Sequence, residues 1–470
     1  CGIRYYLPGT LFISMPENKK VNLNKIISVT QIPFARYVMS TGYKNGAEND
    51  WAVFNGLSRK DWGSHQHSMN DRFYDDSIFK LFPEIFPIIN GKRYFPKSKQ
   101  DQNWEPDFAE PKLVDAAVYS AIKYFKQNPT INYISFSVQD SWIYPTEGKM
   151  GDYLKNYQDT KQGKFRGYTD AFIAFLNKLA EQLKIELPAN GITDPKTIVY
   201  LVYGNVRVAP SIKLNPAILP ITVYHLSDAI VDSIYIDNGA ISAWSKVTRR
   251  MGNHDWAEGR GFIYPRIYTK IVSNYVRRVQ QEKMSFDYTH LEFYPNWSMD
   301  GPKYYFMSKI YWNPKVNADS LLTLFCNDMF GKAAKEMKNY FTAFENLNTL
   351  MNNDPKENRK IGAYNTQLSL NVNELTLLQQ ARQSIDKANS FAGTDDQKKR
   401  IELFSNGFKI SEGFFDIFNS KTVDTAKVNG LKDYLKNTVS GNQMMMNMAT
   451  DKNFLLVMDN LIDQIVNGKK

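Results

Sequence analysis

Two carboxylic acids stand out by position. Asp140 follows the apolar, β-branched run 131–138 and precedes Trp142 and Tyr144. Glu292 follows the run 286–291 and precedes Tyr294, Pro295, Asn296 and Trp297. Each acid stands where a buried strand opens into an aromatic loop. Cleaving a glycosidic bond needs two such groups: one protonated to donate to the leaving oxygen, one ionised as base or nucleophile. Aromatic neighbours exclude water, raise a carboxyl pKa and stack on a sugar ring. On this reading Asp140 and Glu292 share the acid and base roles, and Trp142, Tyr294 and Trp297 are stacking platforms. The competing reading is that Asp140 caps its loop and Glu292 pairs with an arginine.

Around them lie groups suited to hydroxyls or a carboxylate: His67, Tyr203, Asn205, His254, Asp255 and Arg260, with Arg207 and Arg266 as further guanidinium candidates. Arginine suits a carboxylate because its planar fork donates two parallel hydrogen bonds. The segment Asn253-His254-Asp255-Trp256-Ala257-Glu258-Gly259-Arg260-Gly261 reads as a ligand loop or, equally, as a solvated turn. His65-Gln66-His67 lacks a third ligand, so no metal site is expected. There is no G-x-S-x-G elbow, neither cysteine (Cys1, Cys326) has a catalytic signature, and no cofactor is implied.

The elements that must position these groups are legible in the 470 residues. Runs at 32–39, 131–138, 197–203, 218–226 and 286–293 read as strands, with Pro220 suggesting that the fourth begins after it. Helical stripes run through Val114–Phe125, Phe172–Leu183 and Ile267–Val279. Alternating strands and helices imply α/β architecture with a mostly parallel sheet. About 300 residues suit a TIM-like (β/α)8 barrel, with a doubly wound sheet as the alternative, although no glycine-rich phosphate loop supports it. After the turn-rich Asn352-Asn353-Asp354-Pro355 the pattern is helical. The expected organisation is a linker or remnant over 1–30, a barrel over 31–345, and a helical C-terminal domain over 346–470.

Composition excludes several classes. Hydrophobic residues are 43% and charged residues 23%, which is globular usage. No apolar run approaches the roughly 20 residues of a membrane span. The net charge of +10 comes from scattered lysines with no nucleic-acid-binding motif, so no nucleic-acid partner is expected. Aromatics reach 14%, enough to fill a large core and still line a sugar-binding cleft. Cys1-Gly2 suits a cleaved lipoprotein start, but GIRYYLPG reads like domain interior, which suggests a fragment lacking an upstream domain and any targeting signal.

Four stretches in order carry a family resemblance: the opening GIRYYLPG; Phe82-Pro83-Glu84-Ile85-Phe86 with Asn90-Gly91-Lys92-Arg93; Ser137-Val138-Gln139-Asp140; and Glu292-Phe293-Tyr294-Pro295-Asn296-Trp297 through Lys309-Ile310-Tyr311-Trp312-Asn313-Pro314. Together they resemble bacterial carbohydrate-active proteins related to α-glucuronidases, in particular an uncharacterised domain family found downstream of an α-glucuronidase-like N-terminal domain. The resemblance implies a TIM-like barrel with a helical C-terminal part, a role in glycan breakdown, a periplasmic or cell-surface location, and His67, Asp140 and Glu292 on the active face. The family pattern follows the Asp with a cysteine cluster, whereas this chain has Trp142-Ile143-Tyr144-Pro145. The reading is therefore a glycosidase acting on an oligosaccharide or polysaccharide, uronic-acid-containing glycans among the candidates. A glycan-binding protein on a degenerate barrel is the main rival, and an assembly role for the helical region ranks last.

Overall fold

A computed structural model describes residues 2–15, 33–35, 38–41, 46–57, 66–224, 240–255, 257, 263–292, 296–352, 370–445 and 451–468. Its centre is a six-stranded parallel sheet built from β1 (Val38–Thr41), β2 (Tyr133–Ser135), β3 (Thr197–Val202), β4 (Ile218–Tyr224), β5 (Arg250–Asp255) and β6 (Ser285–Glu292). The spatial order is β1-β6-β5-β4-β3-β2, so neighbours from β2 to β6 follow chain order and β1 pairs with β6. A further rung joins the free side of β2, where His67 bridges Ser137 in parallel. The fold is mixed α/β; no closed barrel is present among the described residues.

The sheet is covered on both faces, which is why its strands are apolar in continuous runs. On one face Ile134, Phe136, Ile198, Tyr200, Ile218 and Phe286 join the main core under the helices. On the other, Tyr133, Val199, Leu201, Leu219, Ile221 and Tyr288 form a small separate core, with Tyr203 and Val223 packed against it. Three predicted helical stripes become α1 (Lys112–Gln127), α2 (Lys161–Ala189) and α3 (Thr269–Gln281). Helix α2 starts where Thr160 Oγ1 accepts the Gly163 N–H at 3.0 Å, a side-chain cap.

Two strand expectations need correction. Pro220 lies inside β4, opposite Tyr200, because β5 pairs with β4 only from Ile221 onward and asks no donor of the proline. Asn253, His254 and Asp255 belong to the buried strand β5, not to a surface loop. That strand is polar in sequence, and Gly252 makes it fit: a Cβ there would stand 2.8 Å from Ile221 Cγ1.

Helices after the sheet include α4 (Lys303–Trp312), α5 (Ala318–Phe330), α6 (Ala334–Asn352), α7 (Val372–Phe391), α8 (Asp395–Asn419) and α9 (Asp451–Asn467). Their core is continuous with that of the sheet region. The Phe404 ring of α8 packs edge-on against Phe12, Phe330 and Phe341. Asn296 Nδ2 donates to Met445 O at 2.5 Å. The opening segment is also built in: Tyr6 and Leu7 are fully buried, and the Tyr6 hydroxyl donates to Asp328 at 2.7 Å.

Candidate functional site

Ligands in open parallel α/β sheets meet the loops at the carboxyl ends of the strands. Two polar clusters occupy that end here.

The first lies beyond β2 and β3. Asp140 is exposed, and its Oδ1 accepts a 2.8 Å hydrogen bond from the Tyr203 hydroxyl. Burial pushes the Tyr203 phenol up to about 12, the hydrogen bond to Asp140 and its charge add to this, and Arg207 opposes it. Tyr203 therefore stays a donor at neutral pH. Its ring meets His67 edge-on at 5.4 Å and lies 6.5 Å from Trp142, whose side chain is 63% exposed. His67 Nδ1 is 2.6 Å from the Val138 carbonyl. A carbonyl only accepts, so Nδ1 carries the proton, and in the neutral ring Nε2 offers a lone pair. Arg207 is half-buried, with its guanidinium 4.3 Å from the Phe165 ring centroid and 5.7 Å from that of Trp142. Among the described residues it has no carboxylate partner. Asn205 is half-buried, and its N–H donates to the Tyr144 hydroxyl at 3.2 Å. Gly204, at φ +55°, leaves the room that this hydroxyl occupies.

The second cluster lies at the ends of β5 and β6 and is closed to solvent. His254 stands in register with Val223 and His290, and the two imidazole rings are 4.5 Å apart. Burial, reinforced by His254, holds the His290 pKa well below its usual value, so that ring is neutral at pH 7. Asp255 is fully buried. Burial raises the Tyr268 and Tyr311 phenols, and the Asp255 charge adds to it. Lys303 and Asp300 form a buried ion pair at 2.6 Å, with the ammonium 4.6 Å from the Tyr304 ring centroid. Burial lowers the Lys303 pKa, and Asp300 opposes this.

The structure thus brings together four of the expected site residues, His67, Asp140, Trp142 and Tyr203, with Asn205 one turn away. It corrects the role given to Trp297. That ring is fully buried, its Nε1–H donates to Glu48 at 2.8 Å, and Trp51 and Tyr304 pack against it, so it presents no face to a sugar. His254 and Asp255 are likewise buried, as is the guanidinium candidate Arg266. Glu292 ends β6 in register with Thr41, two residues beyond His290; the fold places its backbone. Arg260 and Tyr294 lie outside the described residues. No group of three or more His, Cys, Asp or Glu able to hold a metal occurs among the described residues.

Sequence reasoning missed Gln102 and Glu105. Gln102 Oε1 accepts the Asp140 N–H at 3.1 Å, and Glu105 Oε1 accepts the Gln139 N–H at 2.5 Å. Glu105 is fully buried, and burial pushes its carboxyl well above the usual range, with the Gln139 hydrogen bond opposing the shift. The one signal available was an acid lodged among aromatics in Trp104-Glu105-Pro106-Asp107-Phe108.

A parallel α/β scaffold with an open aromatic and carboxylate cluster at its strand ends is the class of molecule that these features define. Residues 7–342 match a domain of unknown function, DUF4838, and the chain belongs to that family. No curated protein matches it. Among solved structures, a GH138 enzyme targeting pectin rhamnogalacturonan II overlaps with a TM-score of 0.37 at 10% identity, over 92% of this chain and 69% of its own. CpGH84B overlaps with a TM-score of 0.21 at 12% identity, over 92% and 77%. Overlaps this loose define neither fold nor function. No helix among the described residues is long and apolar enough to cross a membrane.

Proposed function

We propose that the chain is a glycan-acting hydrolase whose site opens at the carboxyl ends of β2 and β3. One observation carries the reading: an exposed carboxylate, Asp140, is held by a half-buried phenol and flanked by an exposed indole and by the Arg207 guanidinium, which among the described residues has no carboxylate partner. Sugar rings stack on such indole faces while carboxylates and donors engage their hydroxyls. The Arg207 fork favours acidic glycans, those carrying a uronate, over neutral ones.

Asp140 and Glu292 are the proposed acid pair. In a flat sheet, four inter-strand steps from β2 to β6 would hold them about 19 Å apart. Glycosidic cleavage needs a carboxyl separation of roughly 5–10 Å. The pair therefore works only if the sheet curls, and the TIM-like barrel reading stands or falls with it. Three features support curling: neighbours in chain order, pairing of β1 with β6, and a separate small core on one face. The resemblance to α-glucuronidase-related proteins supports glycan breakdown at the periplasmic side or cell surface.

A panel of aryl glycosides and uronides, assayed with wild type, Asp140→Asn and Glu292→Gln, tests this. Loss of a wild-type activity in both variants, with folding intact, supports the acid pair and names the sugar class. Activity untouched by either change discards the pair. Silence of the wild type on every substrate favours the second reading, glycan binding without cleavage, for which the exposed Trp142 face is the supporting feature; a glycan array then decides.

A further inference from the structure

The end of β2 is held in an unusual way. Beyond Ser135, the N–H groups of Gln139 and Asp140 are not taken by a neighbouring strand. They are taken by two side chains three residues apart on one segment, Glu105 and Gln102, at 2.5 and 3.1 Å. The same segment continues along the same loop. Asp107 accepts the Met150 N–H at 3.1 Å, and Glu110 pairs with Lys149 at 2.8 Å. Four acceptors on 102–110 thus bind the stretch 139–150 that carries Asp140 and Trp142. The far side of that stretch is pinned too, because Glu147 accepts the Asn90 and Gly91 N–H groups at 2.8 and 2.9 Å. The buried Tyr144 links the layer to the β3 turn, its hydroxyl accepting the Asn205 N–H.

We propose that Gln102 and Glu105 are positioning residues for Asp140, fixing the place and direction of its carboxylate through its own backbone N–H and the one before it. This rests on the reading of Asp140 as a working carboxylate. Neither residue need touch substrate: Glu105 has no exposed surface. A one-ångström error in a reacting group costs rate far more than it costs affinity, which is why such a clamp matters to turnover. Because burial favours the neutral acid at Glu105, a glutamine there keeps both the shape and the accepting oxygen.

The test uses Gln102→Ala, Glu105→Leu and Glu105→Gln in the full chain, with two readouts. The first is amide exchange across 136–142 in the free protein. The second is kcat and KM on whichever glycan the wild type cleaves. The expected result is faster exchange in Gln102→Ala and Glu105→Leu, with kcat down at least tenfold and KM changed less than threefold. Glu105→Gln restores protection and keeps kcat within about threefold of wild type. Where Glu105→Leu fails to fold, the half-buried Gln102 carries the test through Gln102→Ala. Exchange and kcat both unchanged in a folded Gln102→Ala or Glu105→Leu overturn the proposal, as does a loss confined to KM or to thermal stability. If the wild type cleaves nothing, the hydrolase reading fails on that result, and exchange alone decides the clamp.

Discussion

Asp140 and Trp142 stand in solvent at the end of β2, whereas Asp255 and Trp297, at and beyond the ends of β5 and β6, have no exposed surface. The residue types are the same and the surroundings are opposite. On the open side the acid accepts from a phenol, the indole is largely exposed, and the Arg207 guanidinium lies over rings with no carboxylate against it among the described residues. On the closed side Trp297 donates to Glu48, and Lys303 is locked to Asp300. A buried charge with its counter-ion at 2.6 Å is an internal support, whereas the exposed acid beside a largely exposed ring is the feature on which the proposed glycan site rests. Proximity of acids and aromatics in sequence does not distinguish the two cases, and solvent exposure does.

That contrast is open to being broken. The largest expected effect is on the closed side. Lys303→Met leaves Asp300 as a buried carboxylate without its Lys303 counter-ion, still accepting the Asn296 N–H at 2.9 Å, and stability should fall by about 3–5 kcal/mol in chemical denaturation. Trp297→Ala should cost a similar amount, about 3–5 kcal/mol, through the cavity it opens. A loss below about 1 kcal/mol in both would mean that this region is not the support described. On the open side, Arg207→Gln should weaken binding of a uronide by roughly 10- to 100-fold, from the loss of charge-assisted hydrogen bonds of about 1.5–3 kcal/mol, and leave neutral glycosides unaffected. Equal losses on both classes would remove the carboxylate from the argument.

Glu105 brings full burial beneath the open side. Its folded pKa is raised above the unfolded value of 4.5, so the folded state binds the extra proton above that pH. Stability is whole below about pH 4.5 and declines as pH rises toward the folded value, by at most about 1.4 kcal/mol per pH unit. Glu105→Gln should therefore flatten the pH dependence: level with wild type at about pH 4 and more stable than wild type at about pH 7. Melting temperatures at the two pH values check the sign. The smallest effect belongs to Trp142→Ala, which should leave stability within about 0.5 kcal/mol and weaken glycan binding roughly tenfold.

Much of the scaffold could be read from hydropathy. The run TIVYLV at β3 and the stripes of α1, α2 and α3 were legible because apolar periodicity is what packing requires. The strand β5 was not. Its RMGNHD sequence is polar, and what makes it a strand is a glycine that lets β4 approach and a neighbouring histidine for His254 to lie against. Asp140 and Tyr203 were legible individually, because strand ends are marked by where apolar runs stop. Their hydrogen bond was not, since they are 63 residues apart. Trp297 was misassigned for a related reason: an aromatic next to an acid reads the same in sequence whether it faces a cleft or a core. The clamp by Gln102 and Glu105 left almost no trace, because a side chain that accepts a distant backbone N–H follows no period.

On the proposed function, the open cluster works on a ligand and the closed one holds the fold. Asp140→Asn tests it most directly, compared with wild type for kcat/KM on the cleaved glycan and for melting temperature. The account predicts a loss of about 100- to 10,000-fold in rate, the range expected for a group that transfers a proton in the transition state, with the melting temperature unmoved. Activity within a few-fold of wild type in a folded Asp140→Asn would contradict it.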